Sequence, residues 1–410
     1  MIYIKLKHLG DKFVFLHDTI RYVIAKLLLP VVRRQAAYRH LWIIAERGTD
    51  AKDNAYHLFA YIRRTHPEIN IRYIITKNSP DYEKVAALGK TIRFRSFSHM
   101  LALVASEVKI STHIMGYTPQ MYFFKLLDER YPMSGKKIYL QHGIIKDALP
   151  YDYANENHLD LFVCSAKREW EFVDSTFGYE PGIVRLLGAC RYDSLPLPGK
   201  RDISRMIFLM PTWRFYLDEL SSREFKKSRY YAVYDKLLNS RELEELLAGN
   251  GYRLVFCAHP NMLRYADCFT SDCPSVSVVR ADQIDIQEYL IRTDLLITDY
   301  SSVYFDVAFM GKPVIYYQFD REEFFTKHYQ QGYFSYYEDG FGPVFTEEGE
   351  ILSYLKTRIA AGMIPEENYM ERANHFFTFC DHDNCRRNYE AICDCLRSEK
   401  DDSEEKEGGL

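Results

Sequence analysis

Four short blocks of this sequence carry residues able to move protons or hold phosphate, and each follows directly on an apolar run. The first is Leu140-Gln141-His142-Gly143, with Lys146 shortly after. An imidazole titrates near neutrality, so His142 is able to take a proton from a hydroxyl, and Gly143 permits a tight turn or the close approach of a ligand. A histidine that only bonds a loop fits the same pattern. The second block is Met210-Pro211-Thr212-Trp213-Arg214. The fork of Arg214 suits two parallel bonds to a phosphate, with the Thr212 hydroxyl as a further donor; an ordinary surface arginine is the plainer alternative. The third is Cys257-Ala258-His259-Pro260, where the proline biases His259 toward extended backbone. The fourth, Thr298-Asp299-Tyr300-Ser301-Ser302, runs into a helical stretch from Val303 to Phe309. Either serine is able to cap that helix, whose free N–H groups would face a diphosphate, and Asp306 is placed to accept from ribose hydroxyls. A normally capped helix without a ligand is the alternative.

Such residues need rigid elements behind them. Leu41–Ile44, Ile69–Thr76, Val108–Thr112, Lys137–Leu140 and Leu159–Cys164 read as short strands, with helical spacing between several of them. After a polar break at Asp193–Asp202 the alternation resumes, with strands at Met206–Met210, Tyr252–Cys257, Asp294–Thr298 and Lys312–Tyr317. Strands alternating with helices favour crossover units and mostly parallel sheets. Two such domains face to face would leave a cleft at the strand C-termini, where open parallel sheets hold ligands. Neither the P-loop nor the glycine-rich dinucleotide fingerprint is present.

The 410 residues carry a formal charge of −4, which argues against a generally basic nucleic-acid surface. Nine scattered cysteines read as reduced cytosolic thiols. Only Cys380-x-His382-x-x-Cys385 hints at zinc, and it lacks a second pair, so no metal site is expected. The opening Met1-Ile2-Tyr3-Ile4-Lys5 leads into no signal peptide, and no apolar run reaches the roughly 18 residues of a membrane span. Between Lys12 and Arg39 apolar and basic residues mix. That stretch is either a helix on an anionic membrane surface or one packed on the protein body, and Pro30 should bend or end it. Residues 397–410 are charge-dense and read as a disordered tail.

Taken together, the blocks resemble the CDP-glycerol glycerophosphotransferases of teichoic-acid and capsule synthesis. The resemblance spans about residues 40 to 390 and rests on Glu46 with Asp53-Asn54, His142-Gly143 with Lys146, and Gly188-x-x-Arg191-x-Asp193. It also rests on Pro211 to Arg214, His259-Pro260, Ile297 to Ser302 with Phe305-Asp306, and Lys312-Pro313. It implies a GT-B-like α/β architecture of two Rossmann-like domains facing across a cleft, with an N-terminal helical extension. The expected division is 1–39 extension, 40–195 acceptor domain, 203–370 CDP-donor domain, 371–396 returning helices and 397–410 tail. It implies His142 as base and His259 beside the phosphates as the catalytic pair. Thr212, Arg214, Asp299, Ser301, Ser302 and Asp306 would hold the donor, while Glu46, Asp53, Asn54, Lys146 and Arg191 would serve the acceptor or the fold. CDP-glycerol or CDP-ribitol would be the donor, with no further cofactor. The acceptor would be a glycan or polymer, free or lipid-linked, reached by a cytoplasmic protein peripheral to the membrane's inner face. The sequence departs from the teichoic members in Gln141-His142-Gly143-Ile144, in Gln331-Gly332 and in Asn384 after Asp383, which leaves the polyol and acceptor open. A nucleotide-sugar glycosyltransferase or epimerase of the same fold, and a non-catalytic assembly protein, are the other readings.

Overall fold

A computed structural model describes residues 9–199 and 203–407, so Met1–His8, Lys200–Asp202 of the polar break and residues 408–410 lie outside the described residues. The chain forms two compact units. The first comprises the chain up to His142, Pro150–Ser194 and the chain from Asp381 onward; the second comprises Gly143–Leu149 and Leu195–Cys380. The segment Gly143–Leu149 thus belongs with the second half of the sequence, although it sits inside the first.

The first unit holds a seven-stranded parallel sheet of β1 (Trp42–Ala45), β2 (Ile71–Ile75), β3 (Thr91–Arg93), β4 (Val108–Ser111), β5 (Lys136–Tyr139), β6 (Leu161–Cys164) and β7 (Val184–Leu186), in the order β3-β2-β1-β4-β5-β6-β7. The second holds β8 (Met206–Leu209), β9 (Arg253–Cys257), β10 (Val276–Val279), β11 (Leu295–Thr298), β12 (Val314–Tyr317) and β13 (Val344–Phe345), in the order β10-β9-β8-β11-β12-β13. Every residue of β1, β4, β6, β8, β11 and β12 is buried. Helices cover both faces of such a sheet, which is why its inner strands read as unbroken apolar runs. In each sheet the strand order reverses once, between β1 and β4 and between β8 and β11. At such a reversal the crossovers leave in opposite directions and open a crevice at the strand C-termini.

Two returning contacts close the first unit. The Asp193 carboxylate accepts from the Asn384 amide at 2.9 Å and the Cys385 amide at 2.8 Å, so a residue 191 positions earlier caps the final helix. Asn388 adds a bond to the Gly188 carbonyl at 2.9 Å. That helix runs Asn384–Glu407, so the backbone of 397–407 is helical where charge density predicts a disordered tail; Glu, Lys and Arg are good helix formers, and a capped helix is free to propagate through them. Cys385 points at the Cys190 carbonyl while Cys380 is exposed, so the zinc-like spacing does not gather.

Pro30 lies inside the first helix, Leu9–Val32, which ends two residues later. Asp18, Tyr22, Ala25 and Val32 are buried along one stripe, with Tyr22 edge-on to Phe124 at 5.5 Å and Phe15 stacked on Phe123 at 5.3 Å. The opposite stripe, Leu16, Ile20, Val23, Leu27 and Val31, is apolar and exposed, with Leu27 at 75%. The helix therefore packs on the body and still leaves an apolar face uncovered.

Candidate active site

In the first unit the site is built at the reversal between β1 and β4 and at the end of β5. Gln141 follows β5 in the left-handed conformation (φ 58°), which costs an L-residue about 1–2 kcal/mol and is held by its own side chain, whose amide donates to the Val163 carbonyl at 2.6 Å. That turn presents His142. The His142 backbone is clamped from the side: Arg191 donates to its carbonyl at 3.1 Å and to the Asp53 carboxylate at 2.9 Å. Asn54 donates to the Gln141 carbonyl at 2.9 Å and accepts from the Arg191 amide at 2.9 Å. Asp53 also caps helix Asn54–Thr65. Glu46, just past β1, accepts from the amides of Lys52 and Asp53. Burial and the adjacent Asp53 carboxylate raise the Glu46 pKa against those bonds. Glu46, Asp53, Asn54 and Arg191 thus form one scaffold around His142.

The His142 ring keeps solvent access, and its Nδ1 lies 3.3 Å from the Thr112 carbonyl. A carbonyl only accepts, so Nδ1 carries the proton and Nε2 keeps its lone pair. Desolvation by surrounding protein lowers the His142 pKa, opposed by the Asp53 carboxylate and the Thr112 bond. The unprotonated form a base requires is therefore the resting form at neutral pH.

In the second unit the polar residues gather at the reversal between β8 and β11, at Thr212 and at Asp299 to Ser302. Arg214 corrects the sequence reading. It is fully buried, donating to Asp299 at 2.8 Å and to Asp320 at 2.8 Å and 3.1 Å. Tyr230, Tyr300 and Phe324 ring it with their faces. Asp299 additionally accepts from the amides of Thr212 and Tyr300. The remaining guanidinium bonds go to the Thr212 and Trp213 carbonyls, so every bond Arg214 makes here is to a protein acceptor, and the buried cation is matched by two carboxylates. Asp306 is likewise buried in its helix. Ser302 takes the N-cap position of helix Val303–Phe309 but lies in the right-handed region (φ −63°, ψ −8°), from which its hydroxyl makes no capping bond. A Cβ on Gly143 would come within 2.8 Å of the Ser302 Oγ, so the glycine keeps that hydroxyl approachable. The Thr212 Oγ1 is buried without a hydrogen-bond partner. Lys146 is buried against Asp147 and over the Tyr336 ring.

His259 caps the turn Pro260–Cys268, accepting on Nδ1 from the Asn261 amide at 3.1 Å, which leaves Nε2 as the protonated nitrogen. His328 repeats the arrangement: its Nδ1 accepts from the Phe215 amide at 2.9 Å, and its buried Nε2–H has no partner. Burial first, and then Arg214, His259 and Lys146, lower its pKa to about 3, so it stays neutral and donating. His113, Asp320 and His328 were not legible as site residues. His113 and His328 sit in no recognisable block, whereas Asp320 ends the run Tyr317-Gln318-Phe319-Asp320, whose partner Arg214 shows only in the fold.

Residues 27–394 match the family model described as CDP-Glycerol:Poly(glycerophosphate) glycerophosphotransferase. Among curated relatives, the minor teichoic acid biosynthesis protein GgaB of Bacillus subtilis (strain 168) is 30% identical over 370 residues, covering 86% of this chain and 39% of its own length. The teichoic acid poly(glycerol phosphate) polymerase of Staphylococcus epidermidis is 22% identical over 367 residues, covering 82% of this chain and 47% of its own. The chain thus spans less than half the length of these relatives. Among solved structures, a variant of the wall teichoic acid polymerase TagF soaked with CDPG superposes with a TM-score of 0.64 at 17% identity, over 95% of this chain and 99% of that one, which places both in one fold. Two parallel sheets with matching reversals, the His142 scaffold and a family match across most of the sequence lead to one assignment: the chain belongs to the CDP-glycerol:poly(glycerophosphate) glycerophosphotransferase family.

Proposed function

We propose that this chain transfers a polyol phosphate, glycerol phosphate or ribitol phosphate, from a CDP-activated donor to a hydroxyl of a surface polymer or lipid-linked glycan. The observation that carries the reading is the His142 geometry: Nδ1 lies 3.3 Å from a backbone carbonyl, which keeps the proton there and leaves Nε2 bare, on a scaffolded ring whose pKa burial lowers, in a member of this family. Nε2 takes the proton as the acceptor oxygen bonds to the β-phosphorus, and the bond from that phosphorus to the bridging oxygen breaks as CMP departs. Correct placement supplies much of the rate in such a step. The groups offered to the donor phosphates are the Ser301 and Ser302 hydroxyls, the Thr212 hydroxyl and the His259 Nε2–H; Arg214 is not among them. CMP is a good leaving group compared with an alcohol, so its departure needs no protein acid.

We further propose that the protein works at an anionic membrane surface on the inner face of the cell membrane. Among the described residues no helix is long and apolar enough to cross a membrane. The uncovered stripe on Leu9–Val32, flanked by exposed Lys26, Arg33, Arg34 and Arg39, suits a helix lying in the interface, with apolar groups toward acyl chains and cations at headgroup phosphates.

The test is incubation with CDP-glycerol, CDP-ribitol or UDP-sugars plus a lipid-glycan extract, following both released nucleotide and phosphate incorporated into polymer. CMP release coupled to incorporation supports the reading. UMP or UDP release, or donor hydrolysis without incorporation, overturns it. His142→Ala should lose transfer while binding the CDP donor normally; equal loss of both would make His142 structural.

A further inference from the structure

His142 does not stand alone. The His113 ring lies against it with centroids 4.4 Å apart and planes within 8° of parallel. His113 belongs to the loop after β4, and that loop also supplies the carbonyl of Thr112 to His142 Nδ1. The Thr112 hydroxyl pairs with His113 Nδ1 at 3.0 Å, so one residue ties both rings. The loop has little freedom: its Gly116 amide donates to the His113 carbonyl at 2.8 Å, and a Cβ on Gly116 would strike the Glu46 carbonyl and the Ser111 hydroxyl.

An imidazole on its Cβ has two torsions. The Nδ1 bond restrains the ring along one direction, and the parallel face of a second ring blocks rotation out of plane. We infer that His113 is a positioning residue for the transfer reaction, clamping the His142 ring by face-to-face stacking so that Nε2 points in one fixed direction. This rests on the reading of His142 as the base. Burial, and then the neighbouring His142, lower the His113 pKa, so the clamp stays neutral and adds no positive charge against the imidazolium that forms opposite it. The charged and titratable groups around His142 are Asp53 on the capped helix, Arg191 in the turn Cys190–Ser194, Arg47 after β1, and His113.

The test compares His113→Phe with His113→Ala in the full chain. Donor-saturated rates across neutral and mildly acidic pH are combined with NMR titration of the His142 ring and donor affinity. Phenylalanine keeps a flat ring in place and should hold kcat within about threefold, with the acid limb of the rate profile unmoved. Alanine frees the ring and admits water. It should lower kcat by roughly 10–100-fold, as a misplacement near 1 Å does, while donor affinity holds. Easing desolvation raises the His142 pKa, so the limb and the NMR midpoint should both move to higher pH. Phe and Ala variants equally impaired, or an Ala variant with unchanged kcat and midpoint, would overturn the clamp. If His142→Ala is inactive while His113→Ala is normal, the clamp alone fails. If the NMR midpoint moves in His113→Ala but His142→Ala still transfers, the base reading fails and the positioning role with it.

Discussion

Arg214 and Asp299 meet at 2.8 Å with both side chains fully buried, and the second carboxylate of the triad, Asp320, closes on the other edge of the guanidinium. The pair joins the end of β8 to the end of β11, so it fixes the reversal at which the second unit's polar groups converge. Removing the cation leaves two carboxylates in a dry site. Arg214→Met should therefore lower unfolding stability by roughly 3–5 kcal/mol, read from urea denaturation. Whatever folded protein remains should bind the CDP donor with unchanged affinity. A variant of normal stability that has lost donor affinity would return Arg214 to the phosphate.

Asp53 offers a charge test that leaves the scaffold standing. Asparagine caps a helix as well as aspartate does, so Asp53→Asn keeps helix Asn54–Thr65 and removes only the charge. The carboxylate favours the imidazolium of His142. Without it the His142 pKa falls further, and the acid limb of the transfer rate should move to lower pH. A limb that moves upward, or not at all, contradicts the electrostatic coupling.

His99 sets an acid-stability prediction. It is fully buried, with one ring nitrogen accepting from the Arg95 amide and the other donating to the Tyr117 carbonyl. Burial lowers its pKa from 6.5 to about 4. A depressed histidine stabilises the fold fully above the unfolded value near 6.5, and that contribution is lost as pH falls from there toward 4. The maximal loss is on the order of 3 kcal/mol. His99→Gln cannot titrate, so the difference in unfolding free energy between it and the parent should shrink as pH falls through this window. A constant difference would refute it.

The apolar stripe of the first helix yields a binding prediction. Leu27→Glu combined with Val31→Glu touches only exposed positions, so the thermal midpoint should hold within a few degrees. Cosedimentation with vesicles containing anionic lipid should drop by at least tenfold. Retained binding would place the membrane contact elsewhere.

The four strands absent from the sequence reading, β3, β7, β10 and β13, are the four edges of the two sheets. An edge strand is short and partly wet, as in β3 and β10, so its residues are not selected for burial on both faces and its sequence loses the signal. The interior strands end within two residues of where the apolar runs put them. The same holds for His142, His259, Ser301 and Ser302, because residues just past an interior strand end at the ligand-binding side of a parallel sheet.

What the sequence determined by itself was the alternating architecture, the strand ends at which chemistry would be placed and, through ordered motif blocks, the family. These are local properties: burial of short runs and the residue types that follow them. Only the tertiary structure decided which polar groups are buried against one another. Arg214 reads as a phosphate clamp until it meets Asp299, 85 residues on, and Asp320, 106 residues on. His113 has no signal until folding stacks it on His142. Asp193 stands in a motif block, but its task of capping a helix 191 residues on appears only in the fold. A buried charge must be neutralised and a buried donor satisfied, and the partner that does so is chosen by proximity in space, which a linear pattern does not record.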